Sequence, residues 1–247
     1  MLILISPTNL EEAKAVAAGG ADIVDIKNTQ EGSLGANFPW VIKSIVETIK
    51  AENITFSATL GDLPYKPGTA ALAAYGAAHA GARYIKAGMY GTKTINEASE
   101  VMLAVRKSCD LYDPSITVVT AGYADYRRIN GLSPSSLVKA ARASSSNVVM
   151  VDTAIKDGKS LIDNMSLVEI KDFVEEAHDA NLAVALAGSV RTADLESLFH
   201  TGADIIGVRG AVCDEGDRTT SIKTEAVSKF MEEVLKLKRK TNAPAAS

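Results

Sequence analysis

The chain reads as an α/β protein: a single parallel, eight-stranded (β/α)8 (TIM) barrel. Three observations predict this. Short apolar runs alternate with longer helical stretches eight times over, which suits a closed parallel sheet better than an open one. Several of the runs are apolar on both faces, as strands covered by helices require. The length, 247 residues, is typical of one such barrel.

In chain order, the apolar run Leu2–Ser6 leads to a helical stretch Asn9–Ala18. Ile23–Lys27 leads to Pro39–Ala51, Thr55–Leu60 to Gly68–Ala80, and Tyr84–Met89 to Ile95–Leu111. Ile116–Gly122 precedes Pro134–Ser144, where Ser133 suits an N-cap and Pro134 the first helical position. Val148–Thr153 leads to Ser166–Ala180, Ala183–Gly188 to Thr192–His200, and Ile205–Gly210 to Ser221–Lys240. Gly19-Gly20-Ala21-Asp22, Ala80-Gly81-Ala82-Arg83 and Thr201-Gly202-Ala203-Asp204 each end a helix with glycine just before a strand. The alanine-rich stretch Ala70–Ala82 reads as a close-packed outer helix. With no linker of domain-separating length, residues 1–240 are expected to form one catalytic domain, and Thr241–Ser247 a disordered tail. The basic run Lys236–Lys240 suits the negative end of the last helix.

Composition narrows the function. Hydrophobic residues make up 47%, enough for a large core, and the net charge of −4 gives no reason to expect nucleic acid. Cys109 and Cys213 lie far apart and match no zinc spacing, so reduced cytosolic thiols are expected. Met1–Ile5 is apolar but stops at Ser6-Pro7, too short for a signal peptide or a membrane span. A soluble, cytoplasmic protein is expected. Small hydrophobic helices on its outside point to a homo-oligomer.

In such barrels the active site lies at the C-terminal ends of the strands. That selects Asp25, Lys27, Lys86, Asp152, Lys156, Ser189 and Arg209. Asp25 and Lys27 are two apart in a strand and share a face. A buried lysine whose pKa falls to roughly 7–8 becomes a nucleophile toward carbonyls. A structural ion pair at the rim is the plainer reading. Lys86 would bring a second ammonium into the same mouth, each lowering the other's pKa. It is open to acid/base catalysis, phosphate contact or a rim salt bridge. Asp152 ends a strand as a catalytic carboxylate would, whereas Lys156 falls in the following loop, where surface lysines are common. Gly188-Ser189 and Arg209-Gly210 close the seventh and eighth strands, where barrels commonly hold phosphate. Glycine lets backbone N–H groups approach the anion there, Ser189 adds a hydroxyl and Arg209 a fixed cation. Tight turns are the plainer reading. His79, His178 and His200 fall in outer helices as bystanders, and no metal site or other cofactor is expected.

Taken together, several segments resemble the (5-formylfuran-3-yl)methyl phosphate synthase family, also called 4-(hydroxymethyl)-2-furancarboxaldehyde phosphate synthase. They are Asp22–Asn28 with Glu31–Asn37, Phe56–Asp62, Tyr84–Gly88, Val151–Gly158, Leu186–Ser189 and Ile206–Gly210. The likeness covers nearly the whole chain except the tail. It implies a lyase that joins two molecules of glyceraldehyde 3-phosphate into a phosphorylated furan, in the biosynthesis of methanofuran-type one-carbon carriers. It further implies that Lys27 forms a Schiff base and that Lys86 is an acid/base lysine. Asp25, Asp152 and Lys156 fall at the family's other active-site positions. Two competing functions stay open on the sequence. One is a class I aldolase or sugar-phosphate isomerase on the same barrel; the other is a non-enzymatic barrel that binds a phosphometabolite.

Overall fold

The structure, a computed structural model, describes residues 1–49 and 54–242. Among them, eight strands close into a barrel in sequence order: β1 (Leu2–Ile5), β2 (Ile23–Ile26), β3 (Thr55–Pro64), β4 (Tyr84–Gly91), β5 (Thr117–Tyr123), β6 (Val148–Asp152), β7 (Ala183–Leu186) and β8 (Ile205–Val208). Pairing of Leu2–Ile5 with Ile205–Val208 closes the ring. Outside lie α1 (Leu10–Ala18), α2 (Pro39–Thr48), α3 (Pro67–His79), α4 (Ile95–Tyr112), α5 (Tyr126–Ile129), α6 (Pro134–Ala143), α7 (Leu161–Asn164), α8 (Leu167–Asp179), α9 (Leu195–Phe199) and α10 (Thr224–Asn242).

The eight expected strands and eight expected helical regions are all present, with four differences. First, β3 and β4 run past Leu60 and Met89, because Asp62 still pairs with Gly88 and Pro64 with Gly91 across a shifted register. Gly61, at φ 113°, supplies the irregular backbone. Second, α5 and α7 are one-turn helices within strand-to-helix loops, too short for a periodic signal. Third, Thr192–His200 divides into a 3-10 turn, Thr192–Asp194, and α9. Fourth, α10 continues through Thr241 and Asn242, where the sequence predicts a disordered tail. The remainder of that tail, and the expected helix end at Ala51, lie outside the described residues.

Strand alternation decides which residues see the barrel axis. Ile23 packs inside with Leu4, Val119, Val148, Met150 and Ile205. Val24 and Ile26 belong instead to the shell between sheet and helices. By the same alternation Asp25 and Lys27 follow Ile23 up the interior, Lys86 follows Tyr84, and Asp152 follows Met150. The interior therefore turns from apolar to charged within one inward step along each of these strands.

The helix-to-strand joints explain the glycine echo. Gly20, Gly81 and Gly202 have φ values of 90°, 102° and 84°, the left-handed region in which glycine is unstrained. Ser145 and Asn181 hold the same region, at 54° and 59°, at two joints without glycine. The aspartate that follows Gly-Ala has its own task. Asp22 Oδ2 accepts the Ile3 N–H at 2.7 Å, and Asp204 Oδ2 accepts the Val184 N–H at 2.8 Å. Asn147 Oδ1 does the same for Val118 at 2.9 Å. Each satisfies a backbone donor at the start of the preceding strand, where the ladder cannot. Helix starts follow equally local rules. Ser133 Oγ accepts the Ser136 N–H at 3.2 Å with Pro134 in the first turn. Thr94 and Ser166 form capping boxes with Glu97 and Glu169.

Gly19 ends α1 where α10 crosses it, and a Cβ there would overlap the Val227 side chain. Its φ of −77° is ordinary, so space alone demands glycine. Gly19→Ala should lower stability to denaturant by about 1–3 kcal/mol. Adding Val227→Ala should restore part of that loss, and equal effects with and without Val227 would contradict the overlap.

Candidate active site

Lys86 on β4 reaches Asp25 on β2, its Nζ donating to Oδ2 at 2.7 Å. Ser6 Oγ, at the end of β1, donates to the same oxygen at 2.9 Å. The two side chains of the ion pair are 2% and 0% exposed. Asp25 Oδ1 and the Ser57 hydroxyl, neighbours across the β2–β3 pairing, complete no hydrogen bond of ordinary geometry, although Ser57 still helps to lower the carboxyl. Burial alone would raise Asp25, but the ammonium groups of Lys86 and Lys27 hold its carboxyl below its ordinary value.

Lys27 lies one inward step further along. Its Nζ donates to the Ser33 carbonyl at 3.3 Å and has no carboxylate in ion-pair contact among the described residues. Burial pushes Lys27 down to about 8. The carboxylates of Asp152 and Asp25 oppose that fall, while Lys86 and Lys156 reinforce it. Asp152, at the end of β6, accepts from Lys156 Nζ at 2.8 Å, and the same Nζ donates to Thr153 Oγ1 at 2.9 Å. Burial raises Asp152, but Lys156 and Lys27 outweigh it and the carboxyl titrates well below its ordinary range.

A loop between β2 and α2 covers this group. Ser33 N donates to Asp62 Oδ2 at 2.9 Å, and Ser33 Oγ to the Thr153 carbonyl at 2.7 Å. Tyr123 Oη donates to Asp62 Oδ1, and Thr59 Oγ1 to the Leu34 carbonyl. Leu34 is fully buried among the inward-facing residues. Gly88 makes room for the arrangement, since a Cβ there would overlap Tyr123 Oη and crowd Leu34 and Asp62. Asp62 thus ties the loop that supplies Lys27's hydrogen-bond acceptor to the walls of β3 and β5.

A cavity of about 550 Å³ opens at this end of the barrel. Asp25, Lys27, Asp152 and Lys156 line it, as do Gly188, Ser189, Arg209, Gly210 and Arg218. Lys86 is not among its lining residues; it sits behind Asp25. Gly188 and Ser189 have φ values of 112° and 48°. A serine in the left-handed region is uncommon and accompanies special turns and sites.

Arg209 departs from the geometry expected of a free phosphate-binding cation. Its guanidinium donates to Glu12 at 2.8 and 3.1 Å and to the Ser6 carbonyl at 2.8 Å. The remaining contacts go to the Arg218 and Thr220 carbonyls at 3.0 and 3.3 Å. All three of its nitrogens are engaged inside the protein. Glu12 and Arg218, neither singled out by the sequence, are the partners that matter: one neutralises Arg209, and the other brings a further guanidinium to the cavity. Ser33, Asp62 and Tyr123 were also missed: Ser33 lies in a loop, and Asp62 and Tyr123 lie just past the expected strand ends at Leu60 and Gly122.

His79, His178 and His200 stay on the outer surface, His178 within 2.9 Å of Asp204. Cys109 and Cys213 are buried free thiols. No group of three histidine, cysteine or carboxylate residues that could hold a metal occurs among the described residues. No described helix is long and apolar enough to cross a membrane.

A closed parallel barrel carrying a charged cavity at the C-terminal ends of its strands defines the class: a (β/α)8-barrel enzyme. Comparison with known proteins sharpens this. The 4-HFC-P synthase family model matches residues 3–231. A (5-formylfuran-3-yl)methyl phosphate synthase of Archaeoglobus fulgidus is 53% identical over 234 residues, covering 95% of this chain and 99% of that one. One of Methanosarcina acetivorans is 52% identical over 233 residues, covering 94% and 99%. The chain belongs to this family of synthases. The solved structure of a 3-hexulose-6-phosphate synthase superposes with a TM-score of 0.66 at 16% identity, over 94% of this chain and 99% of that one. That likeness concerns the barrel alone.

Removing one member of a buried ion pair strands the other. Asp25→Asn should therefore destabilise the fold by about 3–5 kcal/mol. Asp25→Asn combined with Lys86→Met should recover much of the loss in denaturant titrations. A single mutant as stable as the parent would mean that the pair is not buried as described.

Proposed function

We infer that the chain makes (5-formylfuran-3-yl)methyl phosphate, in methanofuran biosynthesis, as a lyase acting through a Schiff base at Lys27. The substrate is glyceraldehyde 3-phosphate, two molecules of which become one furan with loss of one phosphate and two waters. One observation carries the mechanism: a buried lysine at the cavity wall, lowered to about 8 and free of a carboxylate partner. With that value about a tenth of Lys27 is neutral near pH 7, against roughly one in 2,500 for an ordinary lysine.

The chemistry follows from the amine. Lys27 Nζ adds to the aldehyde carbon and water leaves, giving a protonated imine. Loss of the neighbouring C2 proton produces an enamine, whose electron pair can expel the phosphate carried on C3. The resulting three-carbon unit joins a second triose, which keeps its phosphate. Asp25, at the cavity wall, supports a base role, with Lys86 behind it as the store of positive charge and protons. Asp152 and Lys156 form a second carboxylate–ammonium pair for the dehydrations. The backbone around Gly188, Ser189 and Gly210 supports phosphate binding.

Membership of the synthase family weighs against a simple aldolase, an isomerase or a non-catalytic barrel. Inorganic phosphate release from glyceraldehyde 3-phosphate, with a new conjugated furan aldehyde absorbance, tests this directly, because a simple aldolase or isomerase releases none. Lys27→Ala should abolish turnover, and borohydride with substrate should place a triose-derived mass on the peptide containing Lys27. Substantial turnover in that mutant would remove the Schiff base. Lys86→Arg keeps the charge but cannot give up its proton near neutrality. It should lower turnover by about 10²–10⁴-fold, whereas near-normal turnover would reject Lys86 as an acid/base group.

A further inference from the structure

We propose that Arg218 is the side-chain cation that receives the substrate phosphate, a role resting on the reading that the substrate is a phosphorylated triose. Five cations line the cavity among the described residues: Lys27, Lys156, Arg191, Arg209 and Arg218. Four are committed. Lys156 is held by Asp152 and Thr153. Arg191 is paired with Asp163 at 3.1 Å and donates to the Gly158 carbonyl. Arg209 is paired with Glu12. Lys27 is needed as an amine.

Arg218 differs. Its guanidinium has no ion pair and no hydrogen bond among the described residues, although the side chain is only partly exposed and lines the cavity. It lies close enough to Asp152 to feel that carboxylate, and partial burial lowers its pKa from the usual arginine value. A guanidinium that has lost water without gaining an anion is poised to take one, and its planar fork matches phosphate oxygens two at a time.

The fold also holds this arginine in place. Arg209 donates to the backbone carbonyls of Arg218 and Thr220. The same side chain is locked to Glu12 on α1 and to Ser6 at the end of β1. The loop after β8 is therefore anchored at the residue that carries the free cation. Arg209 spends its own charge on that anchor, and Arg218 keeps its charge for the ligand. Gly188 and Ser189, with left-handed backbone, line the same cavity.

The test uses two probes on the full-length protein: inorganic phosphate by calorimetry, and borohydride trapping at Lys27 with glyceraldehyde 3-phosphate or unphosphorylated glyceraldehyde. Arg218→Gln should weaken inorganic phosphate at least about tenfold, the loss expected of a charge-assisted contact. It should raise half-saturation for the phosphorylated triose similarly and leave that for glyceraldehyde unchanged. Arg218→Lys should fall between. Loss of phosphate affinity in Arg218→Gln, in a protein that shows no trapping at Lys27, would sink the Schiff-base reading and leave this one standing. Unchanged phosphate affinity in Arg218→Gln, or equal weakening for both aldehydes, overturns it.

Discussion

The buried ion pair between Asp25 and Lys86 is the constraint on which the site depends. Two charges withdrawn from water inside a barrel persist only when their geometry is good and their remaining valences are met. Here Lys86 and Ser6 share one carboxylate oxygen, which joins β1, β2 and β4 at the level where the interior turns polar. Once that pair exists, the electrostatics of its neighbours follow. Three ammonium groups, Lys27, Lys86 and Lys156, face two carboxylates, Asp25 and Asp152. Lys86 and Lys156 each hold a carboxylate at contact distance, while Lys27, among the described residues, holds only the Ser33 carbonyl. Burial lowers Lys27 to about 8 against the pull of Asp152 and Asp25, and Lys86 and Lys156 add to the fall. Burial without a contacting carboxylate thus makes a nucleophile of Lys27.

Two tethers keep that arrangement shaped. Asp62 binds Ser33, Leu34 and Tyr123, so the loop beside Lys27 cannot leave without unpairing a carboxylate. Glu12 binds Arg209, which in turn holds the loop after β8. One tether covers the amine and the other shapes the far wall of the cavity. Both rest on carboxylates whose contacts lie within the protein.

Much of this was legible in the sequence because the barrel obeys two short-range rules. Period-two alternation put Asp25 beside Lys27 and sent Asp152 inward after Met150. Glycine before each of three strands marked the left-handed joints. What escaped were residues whose role depends on distant partners. Asp62 falls past the expected strand end at Leu60, yet the strand continues through Gly61 to Pro64. Glu12 lies in the first turn of an outer helix, where an acid is ordinary. Its strand end suggests Arg209 as a fixed cation for phosphate, since nothing local reveals a carboxylate almost two hundred positions away. Arg218 lies in a loop without periodic pattern, and only the cavity distinguishes it from a surface arginine.

Direct titration of Lys27 tests whether burial beside Lys86 and Lys156 holds this one lysine partly neutral. Nitrogen chemical shifts of 15N-labelled lysine side chains, with Lys27 assigned by comparison with Lys27→Ala, can be followed from pH 6 to 11 without substrate. The account predicts a midpoint near the value of about 8 imposed by burial and the neighbouring ammonium groups. Because this value lies below that of the unfolded chain, the folded protein should gain stability as pH rises from about 8 toward about 10.4, the ordinary lysine value. A midpoint for Lys27 at that ordinary value would contradict the account, for the site would then hold an ammonium ion where the chemistry needs an amine.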